Sequence, residues 1–143
     1  MFIGEYQHTL DAKGRMFMPS KFRDELGETF IVTLGLDHCL FVFSSDEFDR
    51  LKSKMDALSI ANKDARQFAR FFFAGACECE MDKQGRIMLP AKLRSYAELE
   101  KDVTVVGVSS RLELWNTEKW EAEHSFDNFS PEELSEKMEL LGL

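Results

Sequence analysis

Near the start of the chain, apolar and polar positions alternate. Tyr6, His8 and Leu10 fall on one side and Glu5, Gln7 and Thr9 on the other, which is the period of a strand with one buried face. The same period returns at Cys77, Cys79 and Met81 against Glu78 and Glu80. A short alternating stretch follows each, Met16 with Met18 and Ile87 with Leu89. Between the two stretches sits a pentapeptide, "DAKGR" at 11–15 and "DKQGR" at 82–86. Strand, turn, strand predicts a hairpin with the pentapeptide at its tip. In such a turn Asp11 or Asp82 accepts backbone N–H bonds from residues ahead, and Gly14 or Gly85 takes the positive φ that closes the loop.

Beyond each tip a proline, Pro19 or Pro90, suits the first turn of a short helix over "PSKFRDELG" or "PAKLRSYAEL". Two apolar runs then predict strands, Phe30 to Leu34 with Leu40 to Phe43 and Val103 to Val106 with Leu112 to Trp115, separated by the turn segments "GLDH" and "GVSS". Ser44 and Glu47 have capping-box spacing, opening a helix from about Ser45 to Leu58, and Thr117 is expected to cap its counterpart. A connector helix begins near Asn62, with Ala65, Phe68, Ala69 and Phe72 on one face.

The two sets of elements are one unit written twice. A shift of 71 positions lays residues 2–23 on residues 73–94 with eight identities in 22 positions: Phe2/Phe73, Gly4/Gly75, Asp11/Asp82, Gly14/Gly85, Arg15/Arg86, Pro19/Pro90, Lys21/Lys92 and Arg23/Arg94. One inserted residue moves the offset to 72, and Gly35 then meets Gly107, Leu40 meets Leu112 and Phe48 meets Trp120. At about four short strands a single unit cannot bury its apolar face. Two units pairing about a pseudo-two-fold axis and closing one barrel would solve that problem.

At 143 residues and 44% hydrophobic, the chain suffices for one such shared core. No apolar run approaches the roughly 20 residues that cross a bilayer, and the N-terminus lacks the pattern of a signal peptide. The expectation is a soluble cytoplasmic protein. Cys39, Cys77 and Cys79 form no disulfide framework. The net charge of −8 argues against a phosphate-rich partner until it is located: from Thr117 onward eight acids face only Lys119 and Lys137, leaving −2 for the rest. Each motif region holds four basic residues, Lys13, Arg15, Lys21 and Arg23 or Lys83, Arg86, Lys92 and Arg94. A basic surface on an acidic protein is therefore open.

The stretches "HTLDAKGRMFMPSKFR", "GLDHCLFVF" and "FFFAGACECEMDKQGRIMLPAKLR" resemble the MraZ family, the two-repeat member of the SpoVT/AbrB-like group of bacterial DNA-binding proteins. The resemblance runs from the first residues to about Trp120. It implies an α+β, mainly β fold, a double swapped-hairpin β-barrel built from two tandem repeats with short flanking helices. The repeats would span 5–47 and 76–119, with a helical connector at 48–75 and a partly helical acidic tail at 120–143. It also implies a homo-oligomeric ring and a sequence-specific transcriptional regulator of the division and cell-wall gene cluster. Its partner would be double-stranded DNA at repeated promoter elements, and its place the cytoplasm at the nucleoid. No enzyme activity, small-molecule substrate, cofactor or membrane is implied.

Residue by residue, Arg15 and Arg86 are either ion-paired ornaments of Asp11 and Asp82, worth little when exposed, or guanidiniums fixed by the turn to fork onto a guanine edge or a phosphate. Their retention at both tips favours the second reading. Lys13 and Lys83 lie in the same loops at different offsets from Asp and are phosphate contacts or ordinary solvated lysines. Lys21, Arg23, Lys92 and Arg94 read as rim residues beside Phe22 and Leu93. His8, Cys77 and Cys79 do not amount to a zinc site, for no second ligand cluster exists. Cys39 has no constellation around it that would make it a nucleophile. Thirteen Phe and seven Met exceed what one small core needs, and Phe17 is a candidate for facing another subunit. The competing function is a ring-forming assembly protein that contacts other proteins through its acidic tail.

Overall fold

The computed structural model describes all 143 residues. The elements run β1 (Phe2–Thr9), β2 (Arg15–Phe17), α1 (Ser20–Leu26), β3 (Thr29–Leu34), β4 (Leu40–Ser44), α2 (Ser45–Asp56), α3 (Lys63–Ala74), β5 (Cys77–Glu80), β6 (Arg86–Met88), α4 (Ala91–Tyr96), β7 (Asp102–Ser109), β8 (Arg111–Asn116), α5 (Thr117–His124) and α6 (Pro131–Leu140). The same order, two strands, a helix, two strands and a helix, thus occurs twice, with α3 between. The fold is α+β with antiparallel pairing throughout.

The pairing departs from the expected hairpins. Six strands form one sheet in the order β1-β7-β8-β4-β3-β5, and β2 pairs with β6 in a separate ribbon. The strands on either side of each pentapeptide therefore do not pair with each other along their length. β1 is matched over its whole length to β7, from Phe2 opposite Ser109 to Thr9 opposite Asp102, and β5 is matched to β3. Each half's first strand lies on the other half's third, and the second strands lie on each other. In the ribbon Met16 and Ile87 sit directly opposite and are both buried, so each half contributes one side chain to the same part of the core.

The expected closed barrel does not form. β1 and β5 remain the edges of an open sheet, and the ribbon strands, of only three residues each, pair with one another and with neither edge. Single bonds stitch the ribbon's approaches to the sheet, Leu10 N–H to the Lys101 carbonyl and Met81 N–H to the Glu28 carbonyl, both 2.8 Å.

Between sheet and ribbon lies the main core, which includes Phe2, Met16, Met18, Phe22, Val32, Val42, Ile87, Leu89, Leu93, Leu112 and Leu114. The outer face of the sheet carries a second cluster, Cys39, Phe41, Phe43, Val106 and Trp115, packed by Phe48, Leu51, Phe72 and Trp120 from the helices. The middle strands are thus buried on both faces. That explains why Phe30 to Thr33 and Leu40 to Phe43 read as unbroken runs rather than alternating ones.

Helix starts follow sequence closely. Ser44 accepts from the Glu47 N–H at 3.3 Å and Asn62 from the Ala65 N–H at 3.0 Å. Pro19 and Pro90 occupy the position just before α1 and α4. The cap of α5 is Asn116, not Thr117: Asn116 accepts from the Lys119 N–H at 3.1 Å, while the Thr117 hydroxyl bonds that of Thr104 at 2.9 Å. In α3, Phe72 stacks on Phe41 but Phe68 stays half exposed. The "GLDH" segment is a single 3-10 turn, with Asp37 and His38 at positive φ. Every residue of α6 is exposed. No helix is long and apolar enough to cross a membrane.

Candidate nucleic-acid interface

Each pentapeptide is organised by its aspartate. Asp11 Oδ1 accepts from the backbone N–H groups of Lys13 and Arg15, both at 2.9 Å, and Oδ2 accepts from Arg15 Nε at 2.8 Å. Asp82 repeats the pattern with Gln84 at 2.9 Å, Arg86 N–H at 2.8 Å and Arg86 Nε at 2.8 Å. Inside the loop, Gly14 N–H reaches the Asp11 carbonyl and Gly85 N–H the Asp82 carbonyl, both at 3.0 Å. The backbone N–H of Arg15, then its side chain, hold the Asp11 carboxyl at about 2. The backbone N–H of Arg86 lowers Asp82 in the same way. Both carboxylates are thereby favoured in the ionised form that accepts these bonds.

The glycines are required twice over. Gly14 has φ +80 and Gly85 +83, a region L side chains rarely adopt. A Cβ on Gly14 would stand 2.8 Å from Arg94 Cζ, and one on Gly85 would collide with the Arg23 guanidinium. These two arginines are more than the rim residues the sequence suggested. Arg23 Nε donates to the Met18 carbonyl at 2.8 Å and Arg94 Nε to the Leu89 carbonyl at 3.0 Å, each within its own repeat, while each guanidinium lies against the turn glycine of the opposite repeat. Their identity at equivalent positions was the available signal, but the strand exchange that brings them over the glycines was not visible.

Exchange also unites the candidate residues. In the β2–β6 ribbon Arg15 is opposite Met88 and Phe17 opposite Arg86. Facing residues in an antiparallel pair project to the same side, and so do residues two apart. Met16 and Ile87 point into the core, so Arg15, Phe17, Arg86 and Met88 share the outer face. The arginines stand at diagonal positions, roughly 7–8 Å apart at the backbone. Their side chains are 31% and 26% exposed, and Asp11 and Asp82 bond only Nε. Both terminal amino groups of each guanidinium are left without a partner in the chain, which is more than an ion pair requires. Lys13 and Lys83 are exposed at the two ends of this face.

Other sequence candidates are not assembled into a centre. His8 lies on β1 and Cys77 and Cys79 on β5, the opposite edges of the sheet; the two sulfurs are 3.9 Å apart, but no cluster of three metal-ligating side chains exists. Burial pushes the Cys39 thiol up to about 12, with the Glu113 carboxylate adding to it, which disfavours the thiolate a nucleophile needs.

A family model described as "MraZ protein, putative antitoxin-like" matches the chain twice, over residues 1–71 and 72–140. The chain is 56% identical to the transcriptional regulator MraZ of Acetivibrio thermocellus and 55% identical to that of Alkaliphilus oremlandii, in each case over 143 residues covering 100% of both chains. It is 56% identical over 138 residues, 96% of each chain, to the one from Carboxydothermus hydrogenoformans. With two tandem matches and full-length relatives, the chain belongs to the MraZ family, a family of transcriptional regulators and not of enzymes.

Proposed function

We propose that this regulator binds double-stranded DNA sequence-specifically, with the β2–β6 ribbon lying in the major groove. The observation that carries the reading is the placement of Arg15 and Arg86. They come from different repeats yet share one exposed face, each held through Nε with its terminal amino groups open. A two-stranded ribbon fits the major groove, about 12 Å wide, and a fixed guanidinium forks onto the two acceptors of guanine. Lys13 and Lys83, at the turns, meet the phosphates that flank the groove.

One ribbon on an acidic chain gains little from non-specific attraction. Several chains in a ring would bind repeated elements together, as the resemblance to the family implies. The repeats are assigned to 5–47 and 76–119, joined by 48–75 and followed by the tail at 120–143. The strand exchange is read as the swapped-hairpin arrangement of the SpoVT/AbrB-like group, open at β1 and β5. The target is regulatory DNA of the division and cell-wall gene cluster, so the protein works in the cytoplasm at the nucleoid.

The test is a gel shift with DNA from upstream of the protein's own gene, against unrelated competitor and at several salt concentrations. A shift that survives competitor and is lost in a folded Arg15→Ala, Arg86→Ala variant supports the proposal. An unchanged shift in that variant rejects the ribbon as reader. The exposed α6 favours the competing reading of a protein-contacting assembly module, which would hold if a well-formed oligomer shifted no DNA.

A further inference from the structure

Two large apolar side chains stand between the arginines. Phe17 is 46% exposed and Met88 58%, on a face whose other two positions are cationic, and both are equivalent positions of the repeat. The bond from Leu89 N–H to the Gly14 carbonyl and that from Met18 N–H to the Gly85 carbonyl, both 2.9 Å, mark the pairs on either side as the bonded ones. Arg15 with Met88 and Phe17 with Arg86 are therefore the non-bonded pairs, where facing side chains come closest. Neither apolar group is needed by the core, which Met16 and Ile87 fill from the other side. Each stands against the arginine of the opposite strand, where a base pair next to an arginine-bound guanine would present its edge.

The major-groove edge of a base pair offers one apolar group, the 5-methyl of thymine, and aromatic or aliphatic side chains are what recognise it. We propose that Phe17 and Met88 are specificity-determining residues that contact thymine methyl groups adjacent to the guanines taken by Arg86 and Arg15. The ribbon then reads a mixed guanine–thymine pattern. Because one half presents a flat ring and the other a flexible thioether, its two ends differ, which gives the bound element a direction even though the backbone is pseudo-symmetric. This inference rests on the proposed DNA-binding reading.

The experiment removes the methyl and nothing else. Duplexes of the upstream DNA are made with thymine or with uracil throughout the bound repeats, and affinities of the full-length protein, Phe17→Ala and Met88→Ala are measured at fixed salt. One buried methyl is worth about fourfold in affinity, so wild type should bind the uracil duplex at least about fourfold more weakly. The thymine preference should shrink in each variant and vanish in the double variant, with melting temperature and oligomer size unchanged. Equal binding of both duplexes by wild type overturns the inference while leaving DNA binding intact. A full thymine preference kept by the double variant also overturns it, and a change of oligomer size with that preference retained would place Phe17 and Met88 between subunits instead. Failure of wild type to bind either duplex removes the DNA-binding reading, and this inference with it.

Discussion

Arg15 and Asp11 show how one residue fixes another for use elsewhere. The carboxylate takes two backbone N–H groups and Nε, which leaves the guanidinium one orientation and an open fork. Arg15→Ala should leave the melting temperature near wild type and lower operator affinity, since each bidentate base contact is worth about 1–3 kcal/mol. Arg15→Lys should do nearly as badly, for an ammonium has no fork; wild-type affinity in the lysine variant would reduce the contact to simple charge. The turn also predicts a pH dependence. Asp11 titrates near 2 when folded, below its usual 3.8, so its stabilising share is complete above about pH 4 and disappears as the pH falls through 2. Thermal melts between pH 2 and 5 should fall with a shallower slope in Asp11→Asn than in wild type, and parallel slopes would show that the turn does not hold the carboxylate.

At the scale of elements, the β2–β6 ribbon and its crossing arginines are one device. Gly85→Val should destabilise the protein by about 1–3 kcal/mol through the strained φ alone, and more because the new side chain meets Arg23. Adding Arg23→Ala should recover the steric part and leave the backbone part. Denaturant unfolding of the two single variants and the double would measure this coupling, and strict additivity would mean that the arginine does not lie over the turn.

This is also the scale at which sequence stops being sufficient. The Asp–Gly–Arg turn, the helix starts at Ser45 and Lys63 and the doubled unit were legible, because each depends on residues within a few positions of one another. The hairpin expectation failed at β1 and β2: alternation reveals which face of a strand is buried but not its partner, and the partner of β1 lies near residue 105. The two arginine tips were legible as separate sites, whereas their union on one face came only from pairing Met16 with Ile87. The Thr117 cap was misplaced by one residue because Asn116 offered an equally good acceptor.

At the scale of the molecule, the proposed reading gives each chain one ribbon and so one short element of readout, and it then requires several chains to act on one duplex. After a first contact the others become effectively intramolecular, which raises avidity by about 10² or more. Elements read from one side of the helix must then recur about one turn apart, roughly 10 bp. Inserting about 5 bp between two repeats should weaken binding far more than inserting about 10 bp, as measured by titration at fixed salt. Equal affinity for both, or full affinity for an isolated element, would mean that one chain reads DNA alone.

The exchange of strands between the halves also bears on how the protein is made. Phe2–Thr9 emerges during synthesis well ahead of its partner Asp102–Ser109, which lies about a hundred residues further along the chain. At about 5–20 residues per second the first strand waits roughly 5 to 20 seconds with its backbone unpaired. Met16 meanwhile has no Ile87 beside it. Such distant pairings raise contact order and slow the search for the native state. The alternating polar positions Glu5, Gln7 and Thr9, exposed in the folded strand, would keep such a waiting strand wet on one side, where an apolar one would recruit the same strand of the next nascent chain.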